Sequence, residues 1–216
     1  MFHSNRHLTL GSLTAGLRLA AMGMVVLWLT GCGGKGESVL MNLHAAVPTE
    51  AAAKNGNGLT VAVTNFDASA LTDQKRLGSR AHLWGGTSHF DLAEGKPGEV
   101  VSKLVAEGLK QRGWKVEKAG TDGKAQATIS GKILELSVNA KSSFGSTDIS
   151  TATKIVVEAA NADGSKVRMT LGGAGAQSVF WFEPEDAQSL LAETVSESLG
   201  KLIANTKVEE NALRLK

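Results

Sequence analysis

The sequence contains one cysteine, three prolines and no tyrosine. With a single thiol the chain cannot form an internal disulfide bond, so an ordinary hydrophobic core must hold the fold. The formal net charge is only +2. Because nucleic-acid binding needs a basic surface that neutralises phosphates, this composition does not indicate a nucleic-acid partner.

Long apolar runs are also missing. The longest, residues 19–29, has 11 residues, whereas a membrane-spanning helix needs about 20. Arg6 and Arg18 lie before or at the start of this run, and no acidic residue occurs in the segment. A basic region, a short apolar run and then small residues are typical of a signal peptide, which we predict over residues 1–31.

Cys32 ends the tetrapeptide Leu29-Thr30-Gly31-Cys32, which looks like a bacterial lipobox. The prediction is that the Cys32 thiol takes a diacylglycerol and that cleavage leaves it as the new N-terminus. The alternative is an intracellular protein with a buried free cysteine. Two acyl chains suffice for stable anchoring. By resemblance to lipoprotein sorting in Gram-negative bacteria, Gly33 instead of aspartate indicates the outer membrane, facing the periplasm.

Cleavage changes the charge balance. Arg6 and Arg18 are the only charged residues removed, which leaves 23 − 2 = 21 basic residues against 21 acidic ones. Residues 32–58 are rich in glycine and alanine and are predicted to be a flexible tether. Within it, Val39, Met41 and Leu43 fit a short edge strand. Residues 59–216 are predicted to form a single domain.

Periodicity predicts the elements of this domain. Strands are expected at 59–66, 114–118, 125–140, 151–160 and 166–171, with an extension at 174–182. A bulge near Gly131 would correct a change of phase in the long strand, and Asp163-Gly164 predicts a hairpin. Helices are expected at 97–112 and 184–206, followed by a helical or frayed tail. Loops are expected at 67–96 and 142–150. The order predicts an α+β fold, a two-layer sandwich with a mainly antiparallel sheet and two helices on one face.

The predicted 67–96 loop carries His82, His89, Asp91 and Glu94. These are metal-ligand residue types, but their spacing matches no compact ligand pattern, so solvated polar side chains are the favoured interpretation.

The same loop also carries Asp67, Asp73, Arg76 and Arg80. Ion pairs that hold the loop against the sheet are favoured over a partner-binding role.

Two groups of aromatic residues stand out. Trp84 and Phe90 would anchor a partner if exposed, or cover the sheet edge if buried, and the sequence leaves both open. Phe180-Trp181-Phe182 precedes the last helix, so packing in the core or against the helix start is favoured over a ligand pocket.

No catalytic motif is present. Gly172-Gly173-Ala174-Gly175 lacks the phosphate-loop pattern, no Gly-x-Ser-x-Gly elbow surrounds a serine, and the cysteine is predicted to be lipidated. The sequence therefore predicts a protein that is not an enzyme and needs no cofactor.

The order of segments resembles one family. After the lipobox and tether come Leu59-Thr60-Val61-Ala62-Val63, a helix that leads into Gly113-Trp114, the segment 127–133 and a Leu/Val-rich closing helix. This pattern is similar to the YajG-type family of small lipoproteins and, more loosely, to auxiliary lipoproteins of envelope transport systems. The resemblance covers most of residues 30–210, except 67–96. It implies no catalytic residues, and only Cys32 carries over, as the lipid attachment site.

The leading hypothesis is a non-enzymatic envelope lipoprotein that binds a protein partner or assists an envelope complex. The alternative is a lipid- or small-ligand-binding auxiliary subunit of a transport system. An apolar cavity between sheet and helices would favour the alternative, and a packed core would count against it.

Overall fold

The computed structural model describes residues 36–43, 59–111, 113–118 and 125–216. The predicted signal peptide, Cys32 and most of the predicted tether lie outside these residues. The helices are α1, Pro97–Gln111, and α2, Pro184–Ala204. The strands are β1 Ser38–Met41, β2 Thr60–Val63, β3 Arg76–Ala81, β4 Thr87–Leu92, β5 Lys115–Lys118, β6 Ala127–Ser143, β7 Ser146–Asn161, β8 Lys166–Val179, β9 Thr206–Glu209 and β10 Ala212–Leu215.

The sheet is organised around β6, a strand of 17 residues. One edge of β6 pairs antiparallel with β7 along its whole length. Two strands share the other edge of β6. The first residues of β6 pair parallel with β2, and its last residues pair parallel with β3. β5 lies beyond β2, β4 and β1 lie beyond β3, and β8 lies beyond β7. The predicted edge strand in the tether region is confirmed as β1.

The sheet is mixed, so the expectation of a mainly antiparallel sheet holds for the long strands β6–β8 and not for most of the shorter strands around them. The pairs β1–β4, β2–β5, β2–β6 and β3–β6 are parallel, and β3–β4, β6–β7 and β7–β8 are antiparallel. The sequence indicates only the β7–β8 hairpin, since a parallel pair joins strands without a tight turn. The sheet is mixed and curled, so the α+β class and the two helices are confirmed but the simple two-layer sandwich is not.

Both helices contribute to one hydrophobic core. α2 packs on β6, β7 and β8, and α1 packs beside β2 and β5 and touches α2. The apolar stripes predicted for the helices are buried, among them Val101, Leu104, Leu109, Leu191 and Leu199. Along β7, side chains alternate between this core and the opposite face of the sheet, as expected for a strand covered on one side.

The predicted 67–96 loop instead contains the hairpin β3–β4. Leu77 is the one fully buried residue of β3, so this strand shows no apolar alternation. Arg76 pairs with Asp91 of β4, and Arg80 has its partners at Ser142 and Phe182, which are distant in sequence.

The predicted bulge exists, but at a different place. The register of β6 against β7 shifts between Ile133 and Glu135, which makes Leu134 the extra residue. Gly131 has another role, because a Cβ there would lie 2.4 Å from the Phe66 ring. The predicted loop 142–150 is also wrong, since β6 and β7 continue to a tight turn at 144–145.

Two further differences concern the C-terminal half. β8 is one continuous strand that includes the predicted extension up to Val179. The tail after α2 is neither helical nor frayed, because β9 and β10 form an antiparallel hairpin. Its turn residues Glu210 and Asn211 have φ values of 50° and 60°. Such positive values suit a two-residue hairpin turn, although glutamate seldom adopts them.

Within the described segments, neither helix combines the length and the apolar character that crossing a bilayer requires.

Candidate interaction surfaces

The outer edge of β8 is the longest open strand edge in the described part of the sheet. β8 has 14 residues and pairs on one side with β7. On its other side, the one backbone partner among the described residues is Lys201, whose Nζ donates to Gly172 O at 2.7 Å. Charges, prolines and bulges normally protect such edges. Residues 169–179, here named the β8 edge, contain no charge and no proline, and no register shift interrupts their pairing with β7.

The glycine run of β8 lets α2 approach the sheet closely. A Cβ on Gly173 would lie 2.7 Å from both Ser198 Oγ and Thr194 O, and one on Gly175 would lie 2.7 Å from Thr151 Oγ1. In this tight contact the Thr151 and Thr194 hydroxyls hydrogen-bond at 2.6 Å. The small residues therefore serve helix packing, and they also leave the β8 edge with little side-chain bulk.

A second surface consists of Trp84, Phe144, Phe180 and Trp181, here named the aromatic end. Their exposed fractions are 90%, 93%, 81% and 77% respectively. They come from the β3–β4 turn, the β6–β7 turn and the segment after β8. The register brings these three connections together: β3 pairs with the last residues of β6, β6 turns directly into β7, and the start of β7 pairs with the last residues of β8.

Phe182, which directly follows Phe180 and Trp181, packs against the core. Its ring lies 6.0 Å from that of Phe90, centroid to centroid. The Arg80 guanidinium carbon lies 4.1 Å from the Phe182 ring centroid, and Arg80 Nε donates to Ser142 Oγ at 3.0 Å. Burial lowers the pKa of Arg80. These contacts hold the preceding residues Phe180 and Trp181 at the surface.

The predictions for the aromatic residues are therefore confirmed only in part. The expectation that Phe180-Trp181-Phe182 packs inward holds only for Phe182, and it is wrong for the two exposed rings. Trp84 is exposed, as an anchor would be, whereas Phe90 is completely buried. Sequence reasoning missed Phe144, although a large apolar residue before a turn glycine could have drawn attention to it.

The four candidate metal ligands are not brought together. His82 Nε2 and Ser88 Oγ lie 2.5 Å apart, Asp91 accepts from Ser38 Oγ at 2.6 Å, and the buried His89 Nδ1 has no hydrogen-bond partner among the described residues. Across the described ranges, no group of three or more His, Cys, Asp and Glu converges on one point.

The charged residues of the same region make structural contacts. Lys132 Nζ lies 3.6 Å from Asp67 Oδ2, and Arg76 Nε lies 3.3 Å from Asp91 Oδ1. Hydrogen bonds from neighbouring backbone N–H groups are the main cause that lowers the pKa of Asp67 and of Asp73. The favoured interpretation, ion pairs that hold this segment against the sheet, agrees with the Asp67–Lys132 pair, whereas the Arg76–Asp91 pair lies within the β3–β4 hairpin itself.

The core leaves little room for a ligand. The enclosed cavity in the core beside Phe66 and Leu199 measures about 10 Å³, roughly the space of one water molecule. A more open groove of about 240 Å³ lies between α1 and the β1–β4 edge of the sheet, beside Met41, Leu92 and Val100. Ligand pockets usually measure about 300–1,000 Å³. A larger groove of about 460 Å³ lies beside Lys141, Asp148 and Gln177 of β6–β8, and it is open to solvent.

Comparison with known proteins shows the fold and not a family. No family model matches the chain, and no curated protein matches it in sequence. The crystal structure of XCC0632 from Xanthomonas campestris, a DUF330 protein, is similar with a TM-score of 0.50 and 8% identity, over 77% of this chain and 92% of that one.

Two weaker likenesses complete the comparison. Lipoprotein GNA1162 from Neisseria meningitidis has a TM-score of 0.34 and 11% identity, over 68% of this chain and 99% of that one. The PelC dodecamer from Paraburkholderia phytofirmans has a TM-score of 0.33 and 14% identity, over 70% of this chain and 93% of that one. The chain therefore shares its α+β fold with XCC0632, at a level of similarity that carries no function across.

Proposed function

We propose that the chain is a non-enzymatic lipoprotein of the bacterial envelope that binds an extended strand of a partner protein along the β8 edge. In this proposal Cys32 carries the lipid, Gly33 directs the protein to the outer membrane facing the periplasm, and the chain is of the YajG type. The lipobox at residues 29–32 supports the lipid anchor, and the short apolar run before it supports export.

The open edge of β8 is the observation that carries the partner role. Gly172 turns its carbonyl outward to Lys201, so Ala174, two residues further along the strand, also turns its N–H and C=O outward. An added strand would pair with these groups, as in known cases of strand addition. The small side chains around Ala174 leave space for it. The partner expected here is an extended, largely uncharged segment.

A lipid- or small-ligand-binding auxiliary subunit remains the second candidate, with less support. Its binding site would lie between sheet and helices, where the described residues enclose a core cavity of about 10 Å³. An acyl chain does not fit in that volume. The open groove of about 240 Å³ between α1 and the β1–β4 edge is below the usual size range of a ligand pocket.

The lipid anchor is tested by mass spectrometry of the protein from the membranes of its source bacterium. The expected N-terminal peptide begins at Cys32 and carries a diacylglycerol on sulfur. The variant Cys32→Ser should lose the lipid and the processing together. An intact chain that begins at Met1, with a free thiol at Cys32, would refute this part of the proposal.

The partner role is tested by photo-crosslinking in intact cells. A photoreactive amino acid replaces Thr170, an exposed residue of the β8 edge, and Glu135 on β6 serves as the control position. Ala174→Pro removes one outward N–H without removing a hydrogen bond to β7, whereas Ala174→Ser keeps it.

The expected result is one defined adduct from position 170 that falls about tenfold in the proline variant and persists in the serine variant. An adduct of equal yield in both variants, or equally strong from position 135, would contradict binding along the β8 edge.

A further inference from the structure

We propose that the aromatic end inserts into the interface of the bilayer that holds the Cys32 lipid, so that the folded domain contacts the membrane through its aromatic end. This inference rests on the lipid anchor of the proposed function and adds a membrane contact made by the folded domain itself.

The first reason is composition. The three connections at this end, residues 82–86, 144–145 and 180–182, contain no Lys, Arg, Asp or Glu. Besides the four rings of the aromatic end, Leu83 is also 42% exposed. Large exposed apolar side chains from three connections at one end of the sheet make a surface that water solvates poorly. Trp and other aromatic rings prefer the boundary between lipid headgroups and acyl chains.

The second reason is where the lipid must leave the domain. Gly36 N donates to Thr87 O at 2.8 Å, so the chain enters the sheet next to the first residue of β4, beside the turn that carries Trp84. Cys32 precedes Gly36 by four residues, which span at most about 14 Å. A lipid on Cys32 is therefore confined to the neighbourhood of the aromatic end.

The short span from Gly36 to Cys32 favours the bilayer over a protein as the partner of the aromatic end. A partner protein or a second copy could cover an apolar patch anywhere on the surface, but only a membrane contact requires the patch and the lipid attachment point to lie at the same end. The opposite end of the long strands is roughly 50 Å away by the rise of a strand. Cys32 cannot reach it from Gly36.

Tryptophan fluorescence provides a direct test, because the tryptophans lie at different ends. The chain has four tryptophans, and the predicted cleavage removes Trp28. Trp84 and Trp181 belong to the aromatic end, whereas Trp114 is 6% exposed and precedes β5 at the opposite end. The processed, lipidated protein is reconstituted into phosphatidylethanolamine–phosphatidylglycerol vesicles with or without brominated acyl chains.

The expected result is blue-shifted emission and about twofold quenching by the brominated lipids. Trp84→Phe combined with Trp181→Phe should abolish the quenching and leave the Trp114 signal. In that background, Phe144→Trp should restore quenching. Ala162→Trp, in the exposed β7–β8 turn at the other end, is the matched control and should not.

Three outcomes would count against the inference, and they can be distinguished. Lipidated protein whose Trp84 and Trp181 emit at long wavelength without quenching overturns the inference alone. Blue-shifted emission without quenching means that protein covers the aromatic end, and it also overturns the inference. Mass spectrometry of the same sample that finds no lipid on Cys32 overturns the proposed anchor and the inference with it.

Discussion

The two ends of the long strands β6–β8 differ in what packs against them. At one end, Asn161 and Asp163 of the turn 161–165 bind the C-terminal hairpin. Asn161 Nδ2 donates to Leu213 O at 2.9 Å, and Leu213 N donates to Asn161 Oδ1 at 2.8 Å. Arg214 pairs with Asp163. At the other end, Phe144 and its aromatic neighbours have nothing over them among the described residues.

A glycine with positive φ does not by itself explain this difference. Both turns contain a glycine with positive φ, 86° at Gly164 and 82° at Gly145. The residue before each glycine differs, aspartate in one case and phenylalanine in the other. The comparison teaches that a glycine-containing turn can be tied into the fold or can leave an apolar side chain exposed. The side chain at the tip decides which, according to whether it finds its partner inside the protein.

The largest expected effect is at the closed end. Leu213 is 1% exposed and belongs to the core, so Leu213→Ala should lower the free energy of unfolding by about 3 kcal/mol. Phe144→Ala at the aromatic end is the matched change and should shift it by less than about 0.5 kcal/mol. Urea denaturation of the two variants measures both. Similar losses would mean that the aromatic end also stabilises the fold.

A smaller loss of unfolding free energy is expected when the Asn161–Leu213 hydrogen bonds are removed. Asn161→Ala leaves the buried N–H and C=O of Leu213 without their partner, at a cost of about 2 kcal/mol. Asn139→Ala, on the exposed face of β6, is the control and should cost under about 0.5 kcal/mol. Denaturation midpoints compare them, and equal midpoints would show that the Asn161 amide does not hold the hairpin.

The smallest effect is a change of pH dependence. Hydrogen bonds from the Ser165 side chain and backbone, with Arg214 nearby, lower the pKa of Asp163 below 3.8. A lowered folded-state pKa means that the stabilisation is present above the unfolded pKa and is lost as pH falls through the folded value. The Asp163→Asn variant should therefore lose less of its free energy of unfolding than the native protein as the pH falls from about 5 through the usual pKa of an aspartate, about 3.9. Parallel acid curves would contradict this assignment.

Part of the fold can be predicted because its signals are local. Apolar residues at helical spacing locate both helices, with Pro97 and Pro184 at their starts. Asp163-Gly164 locates the β7–β8 hairpin, and alternation around Met41 locates β1. In each case neighbours in sequence are also neighbours in space.

The missed elements have no such local signal. β3 buries one residue fully, and its Arg80 is satisfied by Phe182 and Ser142, which are distant in sequence. β10 is held by Asn161, some fifty residues earlier in the chain. The lipid site at Cys32 is predicted from its own motif and stays a prediction, whereas the open β8 edge follows only from the observed pairing.

The sequence by itself determined the helices, the β7–β8 hairpin and the predicted address, because each depends on covalently adjacent residues. Only the tertiary structure decided that strands pair in parallel around β6, that one edge of β8 stays open, and that four exposed aromatic residues lie at the end of the sheet where the chain enters at Gly36. These features arise from register between distant segments. A shift of one residue in any of those strands would turn its side chains to the other face of the sheet.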